Sequence, residues 1–312
     1  MRIIYWGSSD FGIPCIEKLH QKHSVVAVIA SPDKPQGRHL KVISGPIKIW
    51  AEKHNIDIFQ PKKISGNDEL LNILKSLKPD FFVVISYGKI IPEDYLKIPV
   101  FVPLNVHPSL LPKYRGPAPM EWALINGEKE TGVSVISMVD EVDAGDIISV
   151  AKTIISDEDN IFTLRERLSY IAADVLMDAI EKVSSGYKGE KQSGNISYAP
   201  KLKKSDGHIN WQDNAVSIHN KIRGLADWPG AYTFIVSTKG KRLLKIKKSR
   251  VEDASTIHNN PGRFLEDKKR MLVLCGQGIL ELISIQEEGK KETSAVEYLN
   301  GHHKILREAY LQ

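Results

Sequence analysis

Arg2-Ile3-Ile4-Tyr5-Trp6-Gly7-Ser8-Ser9-Asp10-Phe11-Gly12-Ile13-Pro14 opens the chain with an unbroken apolar run, a turn bounded by glycines and the start of a helix-like pattern. A short apolar run ending in a turn suits a strand buried on both faces. The unit recurs: strand-like runs at 2–6, 25–30, 81–85 and 101–105 alternate with helix-like stretches near 11–22, 46–55 and 67–77. This alternation predicts an α/β domain on a doubly wound, mostly parallel, Rossmann-like sheet. A helix near 117–127, strands at 132–138 and 147–155 and a long helix at about 161–184 complete it. Gly7 and Gly12 do not make a nucleotide loop. Walker A needs Lys and Ser/Thr directly after the second glycine, where Ile13 and Pro14 stand, and the dinucleotide fingerprint needs a glycine where Ser9 stands. Both are expected in the first strand-to-helix turn.

With 312 residues the chain exceeds the usual size of one core, and two domains are expected. Residues 184–194 lose all periodicity. We therefore expect a first domain at 1–184, a linker at 185–205 and a second domain at 206–312, where short β runs at close spacing point to a small barrel. Composition is that of a globular protein, 42% apolar and 26% charged, with no run as long as a membrane span and no signal or transit pattern at the start. A cytoplasmic location is expected. Cys15 and Cys275 are too few and too far apart for a disulfide framework or zinc site. The net charge of +5 is unevenly spread: residues 201–312 hold 20 Lys and Arg against 13 Asp and Glu, and the first 200 hold 23 against 25. A basic second domain fits a polyanionic partner such as RNA, and fits equally a solvated lysine-rich face.

Asn105-Val-His107-Pro108-Ser109-Leu110-Leu111-Pro112 is where chemistry enters. Residues i and i+2 of a strand project to the same side, so Asn105 and His107 converge, an amide donor beside a proton shuttle. In open α/β sheets ligands sit beyond the carboxyl ends of strands. The acidic loop Asp140-Glu-Val-Asp143-Ala-Gly-Asp146 offers a carboxylate to orient the imidazole. Each piece alone is also ordinary turn chemistry. The acidic loop is no calcium site, because its third position is Val142 and its twelfth Ala151, and no metal is implied.

Taken together, Asn105-x-His107, Ser109-Leu-Leu-Pro112, Arg115-Gly116 and Val142-Asp-Ala-Gly-Asp146 resemble the formyltransferases that use 10-formyltetrahydrofolate. The opening Gly7 to Pro14, the loop Pro32 to Arg38 and the late Trp228-Pro-Gly-Ala231 fit as well, so the resemblance covers nearly the whole chain. It is nearest to the members that formylate methionyl initiator tRNA. Gly12, where Ala is commoner, is one departure.

The resemblance implies that Asn105, His107 and Asp143 are the catalytic trio, and that Ser109, Leu110, Leu111 and Pro112 contact the folate. Lys34, Arg38 and Lys41, in a basic loop, would meet the tRNA acceptor end. It also implies an OB-like fold for the C-terminal barrel, 10-formyltetrahydrofolate as co-substrate without a metal, and methionyl initiator tRNA as partner of a monomer. Alternatives stay open from the residues: a folate-dependent formyltransferase acting on a small amine, a non-catalytic RNA-binding relative, and a folate-dependent hydrolase in which water replaces the amine.

Overall fold

The computed structural model describes residues 1–36, 41–238, 240–267, 269–306 and 308–312. The chain divides into two units, the first made of Met1–Pro119, Glu130–Ile154 and Arg165–Ala199, the second of Met120–Lys129, Ile155–Leu164 and Pro200–Gln312.

In chain order the elements of the first part are β1 (Arg2–Gly7), α1 (Ile13–Lys22), β2 (Ser24–Ile29), β3 (Lys34–Gln36), β4 (Lys41–Ile43), α2 (Pro46–Lys53), β5 (Ile58–Phe59), α3 (Asp68–Ser76) and β6 (Phe81–Ile85). There follow α4 (Glu93–Leu96), β7 (Leu104–His107), α5 (Pro119–Ile125), β8 (Glu130–Ser137), β9 (Ile147–Ile154) and α6 (Ile161–Ser184). Seven strands form one sheet in the order β5-β2-β1-β6-β7-β8-β9. The first five pair parallel, whereas β8 pairs antiparallel with β7 on one side and with β9 on the other. The expected Rossmann-like architecture is present, and β1 and β6 are buried almost throughout, as their apolar runs require. One core cluster joins Ile4, Trp6, Ile29, Phe82, Tyr87 and Tyr95, with Trp6 packed edge-on against Tyr87 and Tyr95.

The strand expected at 101–105 begins only at Leu104. Proline has no backbone N–H to enter a ladder, and Pro103 stands just before it. The shift puts both Asn105 and His107 inside the strand. Gly12 caps the turn into α1 for a steric reason: a Cβ there would lie 1.8 Å from the Tyr5 hydroxyl, which is buried and has no hydrogen-bond partner. That close approach accounts for a glycine at this position.

The second part of the chain adds α7 (Ala215–Gly224), β10 (Ala231–Ser237), β11 (Gly240–Ile257), β12 (Phe264–Leu265), β13 (Met271–Leu274), β14 (Gln277–Glu287), β15 (Thr293–Ser294), α8 (Ala295–Leu306) and β16 (Tyr310–Leu311). Its strands pair antiparallel in the order β12-β13-β14-β11-β10-β16. A bridge between Arg263 and Tyr310 links the two ends, so the sheet curls into the small barrel that the short runs predict. Trp211, Ile218, Ile222, Ile235, Leu244 and Leu282 lie in its core. Arg223 on α7 donates to the carbonyls of Ser156 and Asp159, and its neighbour Asn220 accepts from it.

Candidate active site

β7 is gripped on both sides, parallel to β6 and antiparallel to β8, with Val84 opposite Asn105 and Ser134 opposite His107. Its polar side chains are therefore presented from a fixed backbone. His107 is 4% exposed. Its Nε2 lies 2.9 Å from the carbonyl oxygen of Tyr114. A carbonyl only accepts, so Nε2 carries a proton, and Nδ1 is the nitrogen free to gain and lose one. Nδ1 lies 3.5 Å from Asp143 Oδ2, close enough for charge to be felt but longer than a good hydrogen bond.

The loop after β8 brings Asp143 back across β7. Gly145 makes that return possible, because its backbone lies against Ser137 so closely that a Cβ would fall 1.7 Å from the Ser137 carbonyl oxygen. Asp143 itself has φ of +54°, a left-handed conformation that Asp tolerates better than most residues. The Asn105 amide donates to its Oδ1 at 3.1 Å, and the Gly116 N–H donates to its Oδ2 at 2.8 Å. Asn105 and His107 thus meet the distant Asp143 in space, with His107 buried and Asn105 and Asp143 half-buried. The orientation of the imidazole is held chiefly by Tyr114, a partner the sequence did not suggest.

The other expected residues are placed as follows. Ser109 is 1% exposed, donates from Oγ to the Lys113 carbonyl, and sits on a turn whose backbone is tied to the Ser134 hydroxyl. Leu111 and Pro112 are buried and Leu110 is half-buried, so of this segment Leu110 has the side chain best able to touch a ligand. Lys34 and Lys41 lie on the two-stranded ribbon of β3 and β4, Lys34 opposite Ile43 and Lys41 opposite Gln36. Arg38 lies outside the described residues.

From sequence, no site role falls to Gln192 or Arg115, which meet the Asp143 loop, or to Ile90 in the turn after β6. Gln192, from the aperiodic stretch, hydrogen-bonds to the backbone of the Asp143 loop and to Arg115. Arg115 also meets Glu141 at 2.9 Å. Since Val84 is level with Asn105, the turn after β6 leaves the sheet level with the end of β7, and it carries Ile90, 81% exposed. An exposed isoleucine in a turn beside a parallel strand end was the available signal for this last one. Among the described residues, no group of three or more His, Cys, Asp or Glu side chains could hold a metal ion.

In the second unit, β10 alternates buried and half-buried residues, so Tyr232, Phe234 and Val236 share its outward face. Lys245, Leu243 and Lys241 of β11 stand opposite them. The His208 ring lies 5.4 Å from Tyr232 and 6.0 Å from Phe234, and Lys241 Nζ sits 4.4 Å over the Phe234 ring. Rings and ammonium groups interleave on one surface.

Comparison with known proteins bears on the family and the fold. The family model described as formyl transferase matches residues 1–180, and that of the formyl transferase C-terminal domain matches 201–303. A methionyl-tRNA formyltransferase from Caldanaerobacter subterraneus is 40% identical over 97% of this chain and 97% of its own. Among solved structures, an N-formyltransferase from Helicobacter canadensis, crystallised with folinic acid and dTDP-3-aminofucose, superposes with a TM-score of 0.66 at 19% identity, covering 92% of this chain and 98% of its own. HypX from Aquifex aeolicus in complex with tetrahydrofolic acid gives 0.61 at 17% identity over 96% of this chain, which spans about half of the HypX chain (47%). These two likenesses speak for the fold, whereas the family models and the close relative speak for kinship over the whole length: the chain belongs to the formyltransferase family.

Proposed function

We propose that this chain transfers the formyl group of 10-formyltetrahydrofolate to the α-amino group of methionyl initiator tRNA, giving N-formylmethionyl-tRNA for translation initiation. The observation that carries this is the meeting of Asn105, His107 and Asp143 at the end of β7. The acceptor amine must be neutral to attack, and an α-amino group with a pKa of about 7.7 to 8.0 needs little deprotonation near neutrality. Its addition to the formyl carbon creates an oxyanion. The second N–H of the Asn105 amide and the Nδ1 position of His107 are the donors for it, and removing one such donor costs about 3 kcal/mol, or roughly a hundredfold in rate. Asp143 orients the imidazole, which relays the proton lost by the attacking amine to the folate nitrogen as the bond between that nitrogen and the formyl carbon breaks.

For the folate itself, Leu110 and Ile90 offer apolar surface and the backbone of Ser109 to Pro112 offers polar edges. On this proposal residues 1–184 form the catalytic domain, 185–205 a linker and 206–312 the tRNA-binding domain. The aromatic and lysine face of β10 and β11 suits unpaired bases and phosphates. Lys34, Arg38 and Lys41 are assigned to the acceptor end of the tRNA. The enzyme would act as a cytoplasmic monomer, and no helix among the described residues is long and apolar enough to cross a membrane.

Incubation with methionyl initiator tRNA and a formyl-labelled donor is the test. Labelled formylmethionyl-tRNA is expected. Transfer to amino sugars or glycinamide ribonucleotide with none to tRNA, or formate release without any acceptor, would overturn the assignment.

A further inference from the structure

Ser185 to Ala199 forms no helix, yet it is stitched to the active-site loops at both ends. Glu190 and Ile147 exchange two backbone hydrogen bonds, of 2.8 and 2.9 Å. Arg115 N–H donates to Ser197 O at 2.9 Å, Ala199 N–H returns to Arg115 O at 2.7 Å, and Tyr114 N–H donates to Ser197 Oγ at 2.9 Å. Gln192 lies between these anchors. Its Nε2 donates to the carbonyl oxygens of Asp143 at 2.7 Å and Gly145 at 2.8 Å. Its Oε1 accepts from Arg115 Nε at 3.1 Å and Nη2 at 2.8 Å. Two protons and two lone pairs are all that a carboxamide has, and all four are used.

Other ties between the two loops are the Arg115–Glu141 ion pair, whose glutamate is largely exposed, and the Gly116 hydrogen bond to the Asp143 side chain, and Gln192 is the group that holds the loop's backbone carbonyls. Asp143 sits in a left-handed conformation, which persists only where the surroundings fix it. Gln192 holds the carbonyl of Asp143 and that of Gly145 two residues on, and binds both to the arginine that precedes Gly116. Gly116 in turn gives its N–H to the Asp143 carboxylate. Only a group that both donates and accepts can bridge two carbonyls and a guanidinium. A carboxylate of the same length could keep Arg115 but would turn lone pairs against two carbonyl oxygens.

We propose that Gln192 is a positioning residue for the reaction: its amide clamps the Asp143 loop to the Arg115-Gly116 turn and so keeps the Asp143 carboxylate within reach of Asn105 and His107. The catalytic part of this rests on the formyl-transfer proposal above.

Gln192→Glu is the sharpest test, because it preserves the arginine contact and breaks the clamp. Its kcat should fall roughly ten- to a hundredfold, as for a misplacement of about 1 Å, with the KM for the formyl donor within about threefold of the parent. In an Asp143→Asn background the same substitution should change kcat less than about twofold, since groups acting as one unit are not additive. Deuterium exchange at the amides of 140–146 should quicken. Gln192→Ala, which deletes all four hydrogen bonds and adds no charge, replaces the glutamate variant if that fails to fold. An unchanged kcat, or the full loss repeated in the Asp143→Asn background, would overturn the role. If the parent chain transfers no formyl group at all, the functional assignment fails separately. The exchange measurement still decides the clamp, with unchanged rates at 140–146 refuting it.

Discussion

Two shielded carboxylates, Asp143 in the first unit and Glu287 in the second, are kept in opposite ways. Glu287, 4% exposed, faces Arg242 at 2.5 Å, Lys290 at 3.2 Å and the Tyr298 hydroxyl at 2.9 Å. Burial alone would raise its pKa, but the hydrogen bonds from Tyr298 and Lys290 and the charges of Arg242 and Lys290 win and hold it below the usual range. Its partner Tyr298 is pushed up to about 12, by burial first and by the carboxylate second. Asp143, its side chain 9% exposed, has two neutral donors and an imidazole. The nearby arginine is spent on Gln192 and Glu141. A carboxylate among permanent cations is committed to structure. One whose charged partner is an imidazole has a partner that can change state, which is what proton transfer needs.

The largest effect that could break this contrast is on turnover. Asp143→Asn should lower kcat about a hundredfold or more, comparable with losing a transition-state donor, while the denaturation midpoint shifts little. Glu287→Gln should do the reverse. Weakening hydrogen bonds to a charged group costs about 1.5 to 3 kcal/mol, towards the lower end here because Arg242 and Lys290 are partly solvated, and turnover per folded molecule should hold. Urea titration and initial rates on both variants decide it, and a kcat loss in Glu287→Gln matching that of Asp143→Asn would erase the distinction.

The Tyr5 hydroxyl marks a third arrangement, a buried polar group with no partner, and burial drives its pKa well above the ordinary tyrosine value. Tyr5→Phe should be neutral or stabilising by up to about 1 kcal/mol. Gly12→Ala should destabilise by about 1 to 3 kcal/mol through overpacking against that oxygen. Combined, the phenylalanine should recover much of the loss, because the oxygen that the new methyl meets is gone. Thermal melts of the two single variants and the double would show additivity instead if the clash lay elsewhere.

The smallest effect belongs to an imidazole of the second unit. His219 in the second unit hydrogen-bonds Ser249 at 3.0 Å, and burial, then the Arg223 charge, hold its pKa below the ordinary histidine value. The unfolded chain takes up this proton first. Stability should therefore fall as pH drops from about 6.5 towards the folded value, by at most about 1.4 kcal/mol per pH unit for one group, and level off below it. His219→Gln should flatten that limb of a pH-dependent melt, and an unaltered limb would assign it to other groups.

Much of this was legible because it is local. The buried runs at β1, β2 and β6 announced a parallel sheet, and the two-residue period of a strand put Asn105 beside His107. The small barrel was readable from the spacing of short β runs. The site partners that were missed depend on distant contacts: Gln192 meets Asp143 and Arg115 across 49 and 77 residues of sequence. Helix α8 was missed for a local reason. Ala295, Tyr298, Leu299 and Leu306 lie buried at helical spacing, but Gly301 interrupts the pattern. The ribbon of β3 and β4, Lys-Pro-Gln against Lys-Val-Ile, is too short to carry an apolar period to read.

The second unit is not contiguous. It takes in Met120–Lys129 and Ile155–Leu164, with Trp122 donating to the Pro200 carbonyl and Arg223 to Ser156 and Asp159. On a ribosome those two pieces emerge long before the barrel that they belong to. The nascent chain must hold them in waiting, and a gene cut near codon 200 would release a fragment with unfinished packing rather than a free-standing half.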